Sequence, residues 1–125
     1  MKRIVLGILL VLVQNGFAYT DKQYKEFINK TNYEWKKQAL RCEMIANNHP
    51  FDSNVQVCIK AVILLKQASR QIELGYAADN TAIIFYKQDD KINAYKYFLI
   101  AARAGCKVAQ THLDILCKES PWVCK

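Results

Sequence analysis

Residues 94–113 read AYKYFLIAARAGCKVAQTHL, and the fold turns on how this stretch is understood. Ala94, Tyr97, Phe98, Ala101 and Ala102 recur at three- and four-residue steps, which puts them on one face of a helix. Gly105 follows, and a glycine just past a helical run readily takes the left-handed conformation that closes it. Ala109 and Leu113 then share a face of the next helix. Paired alanines allow two helices to approach closely, while Tyr97, Phe98 and Leu113 supply apolar area to bury. The stretch therefore predicts a helical hairpin over about 89–118, turned at Gly105.

The flanking sequence carries the same period. Ile92–Ala104 and Lys107–Lys118 form the hairpin itself, and KQDD (Lys87–Asp90) is its polar lead-in. Ala77–Tyr86 is expected to be a short helix, although Ile83-Ile84-Phe85-Tyr86 would also suit a strand. Asn54–Leu74 carries a wide apolar stripe, with Asp52 or Ser53 as its cap and Gly75 as its end. Asp21 to about Asn47 reads as one long helix or two short ones, interrupted at NKTN, with Thr31 or Asn32 capping the second piece. The chain has only two prolines and four glycines and no alternating strand pattern. The expected fold is all-α, a small bundle of helical hairpins in one domain.

The hairpin spacing resembles the Sel-one-like repeat, a relative of the tetratricopeptide repeat. That pattern runs Asp, Ala, two aromatics, Ala-Ala, Gly, Ala and Leu, and it meets Asp90, Ala94, Tyr97, Phe98, Ala101, Ala102, Gly105, Ala109 and Leu113 here. The family usually carries Leu-Gly and a further glycine before the aspartate, where this chain has Ile83-Ile84-Phe85-Tyr86. Residues 36–74 suggest a degenerate helical pair without the Ala-Ala-x-x-Gly signature. One unit cannot make a solenoid. The resemblance implies a small helical domain holding one repeat-like hairpin, and a role in protein contact.

Residues 1–18, MKRIVLGILLVLVQNGFA, have a basic start, an apolar run and small residues at Gly16 and Ala18, the pattern of a secretory signal peptide. The apolar run is about half the ~20 residues that a spanning helix needs. Cleavage after Ala18 leaves 19–125 as the mature domain, with no later run long enough to span a membrane. The whole chain is formally +7. Without Lys2 and Arg3 it is +5, which favours an acidic partner. The charges are scattered, with no Lys/Arg run beyond two residues, and the export signal argues against nucleic acid. Exported and periplasmic, or secreted, is the expected location; the oligomeric state stays open.

All five cysteines lie after the leader. In an oxidising compartment most of them are expected in disulfides, with at least one left over. Cys42 and Cys58 stand eight residues on either side of Pro50, inside the loop signal NNHPFDS (47–53). If helices flank that loop as a hairpin, the two thiols meet. Cys117–Cys124 is the first choice for the tail, because Pro121 turns the chain back, and Cys106–Cys124 is the second. Spacing gives no close Cys pair and the histidines are isolated, so neither a metal nor a cofactor is expected.

No convergent reactive group stands out. His112 and Asp114 are two apart and face different ways on a helix, and Cys117 is assigned to a disulfide. His49 reads as a solvated loop residue. Among the aromatics, Tyr86, Tyr97, Phe98 and Trp122 are assigned mostly to the core, while Tyr95 and Lys96 point off the buried face and are the binding candidates. The expected function is therefore non-catalytic protein binding. An immunity protein that covers a secreted toxin is its most concrete form, by analogy of build. A small subunit of an envelope assembly or secretion apparatus is the second form, and an enzyme such as a cell-wall hydrolase stands last.

Overall fold

The computed structural model describes residues 20–48 and 54–125. Six α-helices follow one another: α1 (Asp21–Lys30), α2 (Glu34–Asn48), α3 (Val55–Gln67), α4 (Gln71–Lys87), α5 (Lys91–Arg103) and α6 (Lys107–Glu119). A 3-10 turn, Pro121–Cys124, ends the chain. There is no strand among the described residues, and none of the helices there is long and apolar enough to cross a membrane. The fold is all-α and stapled by Cys42–Cys58 and Cys117–Cys124, with Cys106 free. Residues 1–18, the loop residues 49–53 with His49, and the Asp52 and Ser53 caps lie outside the described residues.

Three of the inter-helix turns share one geometry. Ser69, Asp89 and Gly105 take positive φ of 55°, 61° and 95°. After each, a backbone N–H reaches back to close the helix: Arg70 to the Leu65 carbonyl, Asp90 to Phe85 and Cys106 to Ala101. This is the Schellman closure, which satisfies carbonyls that a helix end would otherwise leave open. Two of these turns stand thirty-six positions apart, at 69 and 105, and so do the helices before them, 55–67 and 91–103. The geometry recurs although the residues do not: Leu65-Lys66 and Ser69 stand where the later hairpin has Ala101-Ala102 and Gly105.

Tight turns force each helix onto the next. Contacts also link α2 with α4, and α4 with α6. Pairs along these seams show that the three helices run parallel: Trp35 meets Arg70 and Ala46 meets Lys87, while Asp79 meets His112 and Tyr86 meets Glu119. So α2, α4 and α6 make one layer and α3 and α5 the other. Helix α1 docks on α2 through the buried, four-apart pair Tyr24 and Ile28.

Several expected boundaries move. The break at NKTN is real, but Thr31 closes α1 instead of capping α2, with its hydroxyl donating to the Phe27 carbonyl at 2.6 Å. The helix expected to run from 54 to 74 stops at Gln67, and Asn54 is its N-cap. Gly75 ends nothing: it lies inside α4, which absorbs the expected 77–86 helix and its strand-like IIFY run. The glycine serves close packing there, since a Cβ at Gly75 would sit 3.1 Å from the Cys106 Cβ. Serine, not glycine, occupies the actual turn, and sequence periodicity could not show that.

Gly105 has nothing within 4 Å of a would-be Cβ, so its role is conformational alone. Gly105→Ala should cost about 1 kcal/mol, and Ser69→Gly should gain a fraction of that, both read by urea unfolding. Reduction should be less uniform. The Cys42–Cys58 bridge closes sixteen residues and the tail bridge seven. Chain entropy then assigns about 3 kcal/mol to the first and about 2 kcal/mol to the second. Paired Cys→Ala variants compared under oxidising conditions test that order.

Candidate functional site: a groove between two parallel helices

Parallel α2 and α4 leave a groove of about 510 Å³ between them. On α2 its wall is a row at four-residue spacing, Trp35, Ala39, Glu43 and Asn47, with Lys36 and Leu40 beside it. Arg70, Glu73, Tyr76, Ala77 and Asn80 form the facing wall. Such steps place each set on one helical face.

The end near the helix N-termini is aromatic and cationic. The Arg70 guanidinium lies 4.7 Å from the Trp35 ring centre, and Tyr33 stacks on the same indole at 5.8 Å. Arg70 also pairs with Glu73 at 2.9 Å. The Glu73 carboxyl is held below its ordinary range by its own backbone N–H, then by Arg70, with Lys36 adding to the effect. Tyr76 is 58% exposed at the rim.

The other end holds polar groups without partners. Glu43 is half-buried, and that burial pushes its carboxyl above the usual range. It has no hydrogen-bond or ion-pair partner among the described residues. Asn80 is only 6% exposed and has no hydrogen-bond partner there either. Asn47 reaches the Tyr24 hydroxyl only at 3.5 Å, and its Oδ1 is buried with nothing bonded to it. Unpaired buried polar groups each cost about 1–3 kcal/mol. In the groove that cost falls on the Asn47 Oδ1, and a ligand's donor would offset it, while Glu43 and Asn80 lie beside it with no protein partner among the described residues.

The residues weighed from sequence fall elsewhere. His112 is fully buried, with Nδ1 2.8 Å from Asp79 Oδ1 and the Phe98 ring at 5.4 Å. Burial pushes the Asp79 carboxyl up while His112 pulls it down, and the pair joins α6 to α4 inside the core. Asp114 is exposed and accepts from Gln110 at 3.0 Å. Cys117 is bridged, and burial pushes the free Cys106 thiol up, toward its unreactive protonated form. Asp90 caps α5 by accepting from the Asn93 N–H. Tyr95 packs half-buried at the edge of the core and Lys96 is exposed, both on α5 and away from the groove. Among the described residues, no set of three or more His, Cys, Asp or Glu could hold a metal ion.

The groove was not legible as a site. By spacing alone Trp35, Ala39 and Leu40 fall on the apolar stripe of a helix, and Asn47 opens the loop signal at 47–53. One signal was present: AADNTAIIF (77–85) sets an aspartate and an asparagine, both weak helix formers, in the middle of an apolar helix. Comparison with protein-family models, with characterised proteins and with solved structures finds no match to this chain.

Because burial raises the Glu43 pKa, the folded state holds its proton more tightly than the unfolded chain does. Stability is therefore lost as the pH climbs through the folded value. Glu43→Gln should be more stable than the parent at pH 7, with the gap closing as the pH falls toward 4.5. Denaturant midpoints across that range check this.

Proposed function

We propose that this chain is an exported, non-catalytic protein-binding module whose contact surface is the α2–α4 groove. The observation that carries the reading is a line of polar groups short of partners among the described residues, the Glu43 carboxyl, the Asn47 Oδ1 and the Asn80 amide, walled by an aromatic and cationic rim. A folded protein keeps such groups at a cost to stability when something outside it satisfies them. The recurring thirty-six-residue geometry supports reading the two hairpins as related units of the Sel-one-like kind. The leader-like residues 1–18 and the two disulfides support an oxidising compartment outside the cytoplasm.

Within this reading, an immunity role against a secreted toxin fits a small, stapled domain that keeps a formal charge of +5 without Lys2 and Arg3, suited to an acidic partner. A subunit of an envelope assembly is the second form, for which Cys106 is the cysteine left outside the two disulfides. Gentle cross-linking in the native host, tagged pull-down and mass spectrometry separate them. A single stoichiometric enzyme supports the immunity form, and a set of envelope subunits supports the assembly form. The Arg70→Glu/Tyr76→Ala double variant should lose the partner at least tenfold while still unfolding in one cooperative transition, at a midpoint lowered modestly by the lost Trp35 and Glu73 contacts. A partner that stays bound to it would remove the groove from the reading.

A further inference from the structure

The groove's chemistry narrows the kind of ligand that fits. It runs twelve residues along α2, from Trp35 to Asn47, or about 18 Å at 1.5 Å per residue. An extended chain covers that length in about five residues. Its walls offer a carboxyl at Glu43, an unbonded acceptor at Asn47 and a whole side-chain amide at Asn80. These are the counterparts of main-chain N–H and C=O groups. A docking helix would arrive with its main-chain groups already bonded internally and could meet these three only through side chains of matching type. An extended segment brings one donor and one acceptor per residue.

A glycan is the obvious competitor, because sugars also seek aromatic rings and amides. The indole is already engaged: Arg70 lies over Trp35 and Tyr33 stacks on it, which withdraws the groove's largest platform from a sugar ring. The charge at that end is also uneven. Lys36 and Arg70 face one anion, Glu73, leaving a net positive charge for a carboxylate to meet. Between the ends, Ala39, Leu40 and Ala77 offer apolar wall to one side chain.

Resting on the protein-binding reading above, we infer that the groove takes an extended peptide segment of about five residues. Its main chain is bonded at Glu43, Asn47 and Asn80, and its acidic side chain or free carboxyl terminus lies at Lys36 and Arg70. The site selects chain conformation and a terminal negative charge more than it selects sequence, since amides read backbone and the apolar stretch is short.

The test uses the purified, oxidised protein and a pool of random N-acetylated pentapeptides with free carboxyl termini. Amide resonances of the Asn47 and Asn80 side chains and the Trp35 indole N–H report binding. All three should shift with the pool. Asn47→Ala and Asn80→Ala should each weaken pool binding about tenfold, and a carboxyl-amidated pool without acidic residues should bind several-fold less well. Asn80→Ala replaces a poor helix former with a good one, and a denaturant midpoint measured on each variant separates loss of binding from loss of folding. The inference is overturned if the pool shifts none of these signals at millimolar concentration, or if an N-acetylglucosamine tetramer shifts them and the pool does not. If the pulled-down partner instead binds both Asn→Ala variants normally but is lost on the Arg70→Glu/Tyr76→Ala variant, the protein-binding reading stands and the extended-peptide inference falls.

Discussion

Helix α4 has almost no solvent side, and the rest of the structure answers that constraint. From Leu74 to Tyr86 every residue except Tyr76 is buried, under α2, α3, α5 and α6. A helix so enclosed must approach its neighbours closely and must settle each polar side chain it carries. Gly75 and the alanines at 77, 78 and 82 meet the first demand. For the second, the Thr81 hydroxyl donates to the Ala77 carbonyl, Asp79 meets His112, the Tyr86 hydroxyl donates to Glu119, and the Lys87 ammonium donates to the Ala46 carbonyl. Burial lowers the Lys87 pKa to about 8, a sign of how little water reaches this layer. Asn80 is the member left unpaired among the described residues, and it lies at the groove.

Those settlements also fix the layer. Thr81 bonds within α4, and each of the other three pairs ties α4 to a parallel neighbour at a defined register, α2 on one side and α6 on the other. The tail is drawn into the same arrangement. Lys91 lies 3.3 Å from Glu119 and donates to the Ser120 hydroxyl at 3.0 Å, while the Cys117–Cys124 bridge pins the 3-10 turn beside α5. The α4–α6 seam is closed and filled, with a histidine and a carboxylate inside it. The His112 Nε2 in that seam is buried without a hydrogen-bond partner among the described residues, whereas the α2–α4 seam is open along one side and presents its polar groups to the outside.

Much of the architecture was legible along the chain because it rests on local chemistry. Apolar residues at three- and four-residue steps announced helices, the left-handed turn at Gly105 followed from a residue without a Cβ, and the placement of Cys42 and Cys58 around a proline-centred loop gave the first bridge. Pro121 gave the second by turning the tail. What misled was Gly75. Glycine as a helix end and glycine as a place for close approach look alike in one dimension, and only the Cys106 Cβ at 3.1 Å tells them apart. Ser69 was overlooked for the opposite reason, since serine carries no strong preference for the turn conformation that packing imposes on it.

Sequence alone thus determined a small helical class, a disulfide framework and a hairpin over about 89–118, because each depends on residues within a few turns of one another or on cysteines placed symmetrically about a break. The tertiary structure alone decided which face is the site. Trp35 and Arg70, Glu43 and Tyr76, and Asn47 and Asn80 are some thirty-three to thirty-five positions apart, and they share a groove only because α2 and α4 run parallel with another helix packed behind them. That register comes from pairs such as Ala46–Lys87 and from the enclosure of α4, neither of which leaves a periodic mark on the chain. An asparagine in a buried helix looked like a local misfit, and its meaning came from what faced it.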